Sequence, residues 1–168
     1  YPFPEPWSQR LWEADVRPVT VSPGCGLLQV SRPERLWEHR ALPPLAKGRI
    51  LEVARSYLPD WTEFDPVRFR LADPVAFLET GREPVRPLPP FFAFVGTADP
   101  LIDDTERLQA ALERLNVPCD ARFYSGGIHA FHVLLWTKQA KQCWRDQGAF
   151  LSEFERLDGR WEGEAGSF

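Results

Sequence analysis

The chain has 168 residues, a formal net charge of −4 at pH 7 and an isoelectric point near 5.4. This length suffices for one hydrophobic core and favours a single structural unit, residues 1–168, of which the last part from about residue 157 is expected to be a flexible tail. No basic stripe is available to neutralise phosphate charge, so nucleic acid is not an expected partner.

The cysteines are odd in number and widely spaced: Cys25, Cys119 and Cys143. A disulfide framework is therefore not expected, and a reducing compartment is the default. The sequence shows neither a charged leader followed by an apolar core nor an apolar run near 18 residues. We therefore expect a cytoplasmic protein without a membrane span.

The first half of the chain is predicted to contain two helices and one strand. Apolar residues at helical spacing indicate a short helix before Pro18, and residues 18–22 predict a strand that ends in a glycine turn. The apolar side chains of residues 45–58 recur at i, i+3, i+4 and i+7 and predict a second helix. We interpret residues 32–42, which include His39, as a solvated surface segment.

The second half begins with loops and ends with a helix. The aromatic residues of 61–78 are expected on loops and short turns, while the wholly apolar run 91–95 predicts a strand buried on both faces. Residues 108–115 have the spacing of an amphipathic helix, and residues 119–124 predict another strand. A closing helix should pack on the sheet through one stripe: Ala140, Cys143, Trp144, Leu151 and Phe154. The expected fold class is α/β, with a parallel sheet of three strands flanked by helices.

Two residues with catalytic chemistry follow the predicted strands of the second half. Asp99 lies just past the carboxyl end of the buried strand, where open α/β sheets carry their sites. The glycine-containing loop 125–127 is flexible enough to bring His129 back over the same edge. A carboxylate that accepts the Nδ1 proton fixes the histidine tautomer in which Nε2 acts as a base. We therefore predict Asp99 as the orienting acid and His129 as the base.

The same region admits other assignments. Asp103 is the alternative acid, although Asp103 and Asp104 are better explained by the start of the next helix, where negative charge is favoured. His129 and His132 are three residues apart and could both bind a metal, but no third ligand is evident. The acidic cluster lacks the spacing of a calcium loop. We predict neither a metal nor a cofactor.

Two motifs carry a resemblance to a known family. Residues 96–101 read Gly-Thr-Ala-Asp-Pro-Leu, and residues 124–131 read Tyr-Ser-Gly-Gly-Ile-His-Ala-Phe. They resemble the acid and histidine motifs of the hormone-sensitive-lipase-like branch of the α/β-hydrolases, which run Gly-x-x-Asp-Pro-Leu and Tyr-x-Gly-x-x-His-Gly-Phe. The chain departs from that pattern at Ala130, where the family usually has glycine. The resemblance implies a partial α/β-hydrolase fold and gives Asp99 and His129 the roles of triad acid and base.

The nucleophile motif of that family is not in the sequence. Neither Gly-x-Ser-x-Gly nor the oxyanion loop His-Gly-Gly-Gly occurs in the 168 residues. The nearest segment, residues 22–26, places Cys25 between glycines but has Pro23 at the position of the motif's first glycine, so we disfavour Cys25 as a nucleophile. The resemblance therefore implies the carboxyl-terminal half of a hydrolase, with the serine expected upstream of residue 1.

The expected function is that of a carboxylic ester hydrolase segment of the esterase or lipase type. Its substrate would be a small-molecule ester, and its partner the missing amino-terminal half or another chain of the same protein. By itself, the chain is expected to be inactive. The alternative is a non-catalytic, truncated hydrolase half that acts as a binding or assembly module.

Overall fold

A computed structural model describes residues 6–38, 42–58 and 72–164, with side chains described as far as residue 154. The expectations for three parts of the chain fall outside these ranges. They concern His39, the aromatic residues Trp61, Phe64 and Phe69, and the last residues of the expected tail, 165–168.

The described elements are helices and two parallel strands, and both strands lie in the second half of the chain. Both helices predicted in the first half are present, and a further short helix begins at Pro74, in a region expected to hold only loops and turns. Proline is well suited to a first helical position because its missing N–H would have no partner there. In chain order the elements are α1 (Pro6–Glu13), a 3-10 helix (Pro33–Trp37), α2 (Pro44–Tyr57), α3 (Pro74–Glu79), β1 (Phe91–Gly96), α4 (Ile102–Arg114), β2 (Cys119–Tyr124), a second 3-10 helix (Phe131–Val133) and α5 (Lys138–Glu164).

The sheet is centred on β1. Strand β2 pairs with it in parallel, with Phe91 opposite Cys119 and Gly96 opposite Tyr124. Helix α4 is the crossover that a parallel pair requires. On the other side of β1, the predicted strand 18–22 is reduced to two isolated parallel bridges, from Val21 and Gly24. The proline at position 23 has no N–H to donate and helps to prevent a continuous strand there.

Strand β1 is buried on both faces, as its apolar sequence predicts. On one face Phe92 and Phe94 pack in a cluster with Tyr124 and Phe131, next to α5. On the other face Phe91 and Ala93 form a cluster with the apolar side of α4: Leu108 and Leu112. This alternation follows from the two-residue period of a strand. Helices α4 and α5 therefore cover opposite faces of the sheet.

The stripe of α5 differs from the predicted one. Ala140 and Cys143 are buried as expected, but Trp144 and Leu151 are exposed. Phe150 occupies the inner face instead and stacks on Phe92, with ring centroids 5.4 Å apart. The helical backbone also continues to Glu164, into the segment expected to be a tail.

The prediction of a solvated surface for residues 32–42 is wrong for part of the described segment, although Arg32, Glu34 and Glu38 are exposed. Leu36 is fully buried, and Arg35 forms an ion pair with Asp104 at the start of α4, with 2.6 Å between Nη1 and Oδ1. The buried Asp104 carboxylate also accepts a 2.7 Å hydrogen bond from the N–H of Leu28. The charged segment that contains Arg35 thus packs on α4 through an ion pair with Asp104, a residue far away in sequence.

Among the described residues, no helix combines the length and the apolar character needed to cross a bilayer.

Candidate active site

Asp99 is held in place by the turn that follows β1. Its backbone N–H donates a 3.0 Å hydrogen bond to the carbonyl oxygen of Gly96, the last residue of the strand. Its side chain is fully buried, and Oδ1 accepts a 2.8 Å hydrogen bond from the N–H of Leu101. One carboxylate oxygen is thus fixed by the backbone, which sets the direction in which the other points.

The loop that carries the histidine is bonded directly to this turn. Gly126 has a φ of +69°, a conformation that glycine adopts without strain. The carbonyl oxygen of Gly127 accepts a 2.9 Å hydrogen bond from the N–H of Ala98. A Cβ on Gly96 would lie 2.0 Å from that same oxygen. Glycine at positions 96 and 126 therefore lets the two loops approach each other closely.

A buried phenylalanine anchors the other side of the histidine loop. Phe131 packs edge-on against Phe94 at 6.4 Å between ring centroids, and it lies 5.1 Å from the ring of Tyr124. The residue between it and the histidine, Ala130, has a φ of +57°. The motif that this segment resembles has glycine at this position, and the conformation is costly for alanine.

The structure brings His129 and Asp99 into hydrogen-bonding contact. Nδ1 of the ring lies 3.1 Å from Oδ2 and 3.3 Å from Oδ1 of the carboxylate. The hydrogen bond that His129 donates to the Asp99 carboxylate raises the pKa of His129 above its ordinary value of 6.5, although partial burial of the ring opposes this. The imidazole side chain is 54% exposed. Among the described residues Nε2 has no hydrogen-bond partner, so that side of the ring is open.

The two aspartates at the start of α4 occupy the first helical turn, as predicted. Since His129 contacts Asp99, the geometry favours Asp99 over Asp103 as its partner. Asp104 points instead into the buried ion pair with Arg35. The place of Asp104 at the helix start follows from the sequence, but this pairing does not, because the sequence carries no local signal for it.

A third side chain joins the pair from the other side of β1. Cys25 is buried, and its backbone N–H donates to the carbonyl oxygen of Phe94 at 2.9 Å. Its Sγ, a carboxylate oxygen of Asp99 and a ring nitrogen of His129 all lie within 4.8 Å of one another. Burial raises the pKa of the Cys25 thiol to about 12, with a further contribution from the Asp99 charge.

The sequence does not predict that Cys25 lies beside Asp99 and His129. The sequence around Cys25 suggests only a nucleophile, a role that we disfavour. The raised pKa of the thiol also argues against that role, because it suppresses the thiolate. One feature of the sequence could have indicated this position. If the predicted strand 18–22 is parallel to the strand before Asp99, the turn that follows it lies at the same sheet edge as Asp99.

His132 is not part of this cluster. Its ring lies edge-on to Phe94, 5.1 Å between centroids, and 6.1 Å from Trp144. Its Nδ1 is buried without a hydrogen-bond partner among the described residues. Burial lowers the pKa of His132 below 6.5, and the neighbouring His129 adds to the effect. A pairing of His129 with His132 around a metal is thus not supported by their placement.

Comparison with known proteins gives a consistent result. A family model described as the alpha/beta hydrolase fold matches residues 14–133. Among solved structures, EstE5 with PMSF is 22% identical, with a TM-score of 0.63, and the match covers 84% of this chain and 46% of EstE5. An esterase/lipase from an uncultured bacterium is 20% identical with a TM-score of 0.64, covering 86% and 46%. Esterase E25 is 23% identical with a TM-score of 0.64, covering 86% and 43%.

These structural similarities establish a shared fold. The chain spans less than half the length of each of the three esterase structures.

Proposed function

The chain belongs to the α/β-hydrolase fold family, and on that premise we propose that it supplies the acid and the histidine of a Ser-His-Asp triad for carboxylic ester hydrolysis. In this proposal it is the carboxyl-terminal half of an esterase, and the serine comes from residues outside the chain. Asp99 is the orienting acid and His129 is the general base.

The observation that supports the proposal most directly is the contact between His129 Nδ1 and Asp99 Oδ2, at 3.1 Å. With Nδ1 donating to the carboxylate, the neutral ring carries its lone pair on Nε2, which is the nitrogen that must accept the nucleophile's proton. The order of the two residues along the chain, acid before histidine, is that of α/β-hydrolases.

The proposed reaction is acyl transfer to water through a covalent intermediate. A serine hydroxyl attacks the ester carbonyl while His129 Nε2 takes its proton, and the resulting imidazolium gives this proton to the leaving alcohol. Asp99 stabilises the imidazolium. Water then attacks the acyl-enzyme with His129 again as the base. The N–H groups that stabilise the oxyanion would lie outside this chain, because they come from the nucleophile turn and an earlier loop.

A short-chain ester is the suitable test substrate. EstE5, which has the same fold, has been examined after a soak with p-nitrophenyl butyrate. We propose esters of this class for the joined protein, since an ester carbonyl and an alcohol leaving group are what this triad chemistry requires.

The test is to express the chain together with the segment encoded immediately before residue 1 and to measure hydrolysis of p-nitrophenyl butyrate. We expect activity from the joined protein and none from residues 1–168 alone. His129→Ala and Asp99→Asn should each lower kcat by roughly 10³-fold or more. The matched control is Asp103→Asn, which changes the same functional group a few residues away and should leave kcat nearly unchanged.

Three outcomes would contradict the proposal. If Asp103→Asn rather than Asp99→Asn lowers kcat, the acid is wrongly assigned. Undiminished activity of His129→Ala would remove the histidine from the mechanism. An upstream segment without a serine nucleophile would favour the alternative function, in which the chain is a truncated, non-catalytic half that acts as a binding or assembly module.

A further inference from the structure

The cluster of Cys25, Asp99 and His129 contains a thiol that the chemistry of the triad does not require. A Ser-His-Asp triad uses the carboxylate and the imidazole, but it has no use for a buried thiol beside them. We propose that these three side chains form a binding site for a thiophilic divalent cation, with Zn²⁺ as the ion that fits best. A cation bound there would compete with the base function of His129.

The distances are close to those of a tetrahedral zinc site. Zinc binds imidazole nitrogen and carboxylate oxygen at about 2.0–2.1 Å and thiolate sulfur at about 2.3 Å, so neighbouring N and O ligands lie roughly 3.3 Å apart and S lies roughly 3.6 Å from either. His129 Nδ1 is 3.1 Å from Oδ2 and 3.3 Å from Oδ1 of Asp99. The ligand atoms of all three residues lie within 4.8 Å of one another. Sγ of Cys25 would therefore have to move by no more than about 1.2 Å, the difference between 4.8 Å and roughly 3.6 Å, to close the site.

The ligand types select zinc over harder cations. Thiolate and imidazole are preferred by Zn²⁺ and its neighbours among the transition metals, whereas Mg²⁺ and Ca²⁺ bind sets of oxygen ligands. With three protein ligands, the fourth position is left for water. The half-exposed ring of His129 leaves a route from solvent to the otherwise buried cluster.

The proton and charge balance is also favourable. On binding, the Cys25 thiol releases its proton to solvent and becomes the thiolate ligand, while the ring proton moves from Nδ1 of His129 to Nε2. At a pH above the raised pKa of His129, where the ring is neutral, one proton is therefore released for each cation bound. The two positive charges of Zn²⁺ are matched by one thiolate and one carboxylate, so the buried complex has no net charge.

Two of the three ligands are already positioned by backbone contacts. Oδ1 of Asp99 is held by the N–H of Leu101, and the backbone of Cys25 is bonded to β1 through the carbonyl oxygen of Phe94. Such outer contacts orient metal ligands and limit the cost of ordering them.

Binding of a metal ion does not depend on the proposed function. The competition between the metal and the role of His129 as a base does rest on the proposed function. When Zn²⁺ replaces the Nδ1 proton, the ring proton lies on Nε2, and the ring can no longer accept a proton from a serine.

The experiment is a titration of the metal-free chain, residues 1–168, with Co²⁺ in the presence of a non-thiol reductant, at a pH above the raised pKa of His129. We expect a near-ultraviolet absorption from thiolate-to-cobalt charge transfer that saturates at one ion per chain, with release of one proton, and that disappears when Zn²⁺ displaces the cobalt. Cys25→Ser should abolish the absorption. The matched control is Cys119→Ser, which removes a half-buried thiol on β2 outside the cluster and should leave the absorption intact.

A second variant guards against misfolding of Cys25→Ser. His129→Ala changes a half-exposed side chain and should weaken Co²⁺ binding by roughly tenfold or more while the charge-transfer band persists at high metal concentration. The proposal is overturned if the wild-type chain gives no band, if Cys25→Ser retains it, or if Cys119→Ser loses it. The cobalt absorption is measured without an ester. If the band appears but the chain joined to its upstream segment has no esterase activity, the proposed function fails while the metal site stands.

Discussion

The N–H of Ala98 donates a 2.9 Å hydrogen bond to the carbonyl oxygen of Gly127, which joins the loop of Asp99 to the loop of His129. The geometry of the candidate site therefore depends on a backbone contact, in addition to the contact between the two side chains. This contact is possible because the residue at the end of β1 is Gly96.

We predict that Gly96→Ala separates the two loops. The added Cβ would lie 2.0 Å from the oxygen and 2.3 Å from the carbonyl carbon of Gly127, and both are backbone atoms that no rotamer change can move aside. The free energy of unfolding should fall by about 1–3 kcal/mol, and the pKa of His129 should return towards 6.5. Urea denaturation and an NMR titration of the ring measure the two effects.

Gly148→Ala is the control for this substitution. Gly148 is exposed on α5, and a methyl group added there would have nothing within 4 Å, so alanine should stabilise the helix by up to about 1 kcal/mol. Equal effects of the two substitutions would show that the approach of the loops is less tight than described.

The parts of the fold that could be predicted are those with a local pattern. Strand β1 follows from a short apolar run, and α4 follows from leucines at helical spacing, because each pattern matches the period of one element. The placement of Asp99 and His129 near each other follows from their order along the chain and from the parallel strands that precede them.

The parts that could not be predicted depend on distant partners. Arg35 belongs to a charged segment without a period, and its contact with Asp104, 69 residues away, helps to explain why that segment is packed rather than solvated. The inner face of α5 differs from its prediction for a similar reason. Leu151 and Phe150 are both apolar, and the aromatic rings of β1 decide which of them faces inwards.

We predict that Ala130→Gly stabilises the protein. Ala130 has a φ of +57°, which costs an L-residue about 1–2 kcal/mol, whereas glycine adopts it freely. The gain is reduced by roughly 0.5–1 kcal/mol because glycine is more flexible in the unfolded chain. The free energy of unfolding should therefore rise by up to about 1.5 kcal/mol in urea denaturation.

The same change at Ala110 provides the comparison for Ala130→Gly. Ala110 is exposed within α4, where glycine should destabilise by about 1 kcal/mol. If both alanine-to-glycine variants lose stability to the same extent, position 130 does not have the left-handed conformation in solution.

We predict that the titration of His129 depends on Asp99. In the wild-type chain the NMR midpoint of His129 should lie above 6.5, because the carboxylate stabilises the imidazolium, and in Asp99→Asn it should fall. The midpoint of His132 should lie below 6.5 because that ring is partly buried. A His129 midpoint that is unchanged by Asp99→Asn would argue against the contact.

The same shift gives stability a defined pH dependence. The folded-state pKa of His129 is higher than its unfolded value, so the contact with Asp99 adds its full stabilisation below pH 6.5 and loses it as the pH rises through the folded-state pKa. The difference in free energy of unfolding between wild type and His129→Gln should accordingly be largest in mildly acidic solution. Denaturation in urea at pH values on either side of this range measures it.

The buried ion pair between Arg35 and Asp104 should be one of the most sensitive positions in the described structure. The Arg35 side chain is 13% exposed and that of Asp104 is fully buried, with 2.6 Å between Nη1 and Oδ1. Arg35→Met would leave the carboxylate in the interior with only Arg107, whose Nη1 is 3.6 Å away, as a cationic neighbour among the described residues. We expect a loss of about 3 kcal/mol, because a buried charge that has lost its nearest ion-pair partner is costly.

Arg49→Met tests whether burial, rather than the ion pair as such, causes this loss. Arg49 and Glu52 are also 2.6 Å apart, but their side chains are 72% and 62% exposed on α2. Their pair should contribute no more than about 0.5 kcal/mol, and added salt should weaken it further. Urea denaturation of both variants measures the two losses of stability. Equally small losses would mean that water reaches Asp104 and that the 3-10 helix carrying Arg35 is not packed against α4.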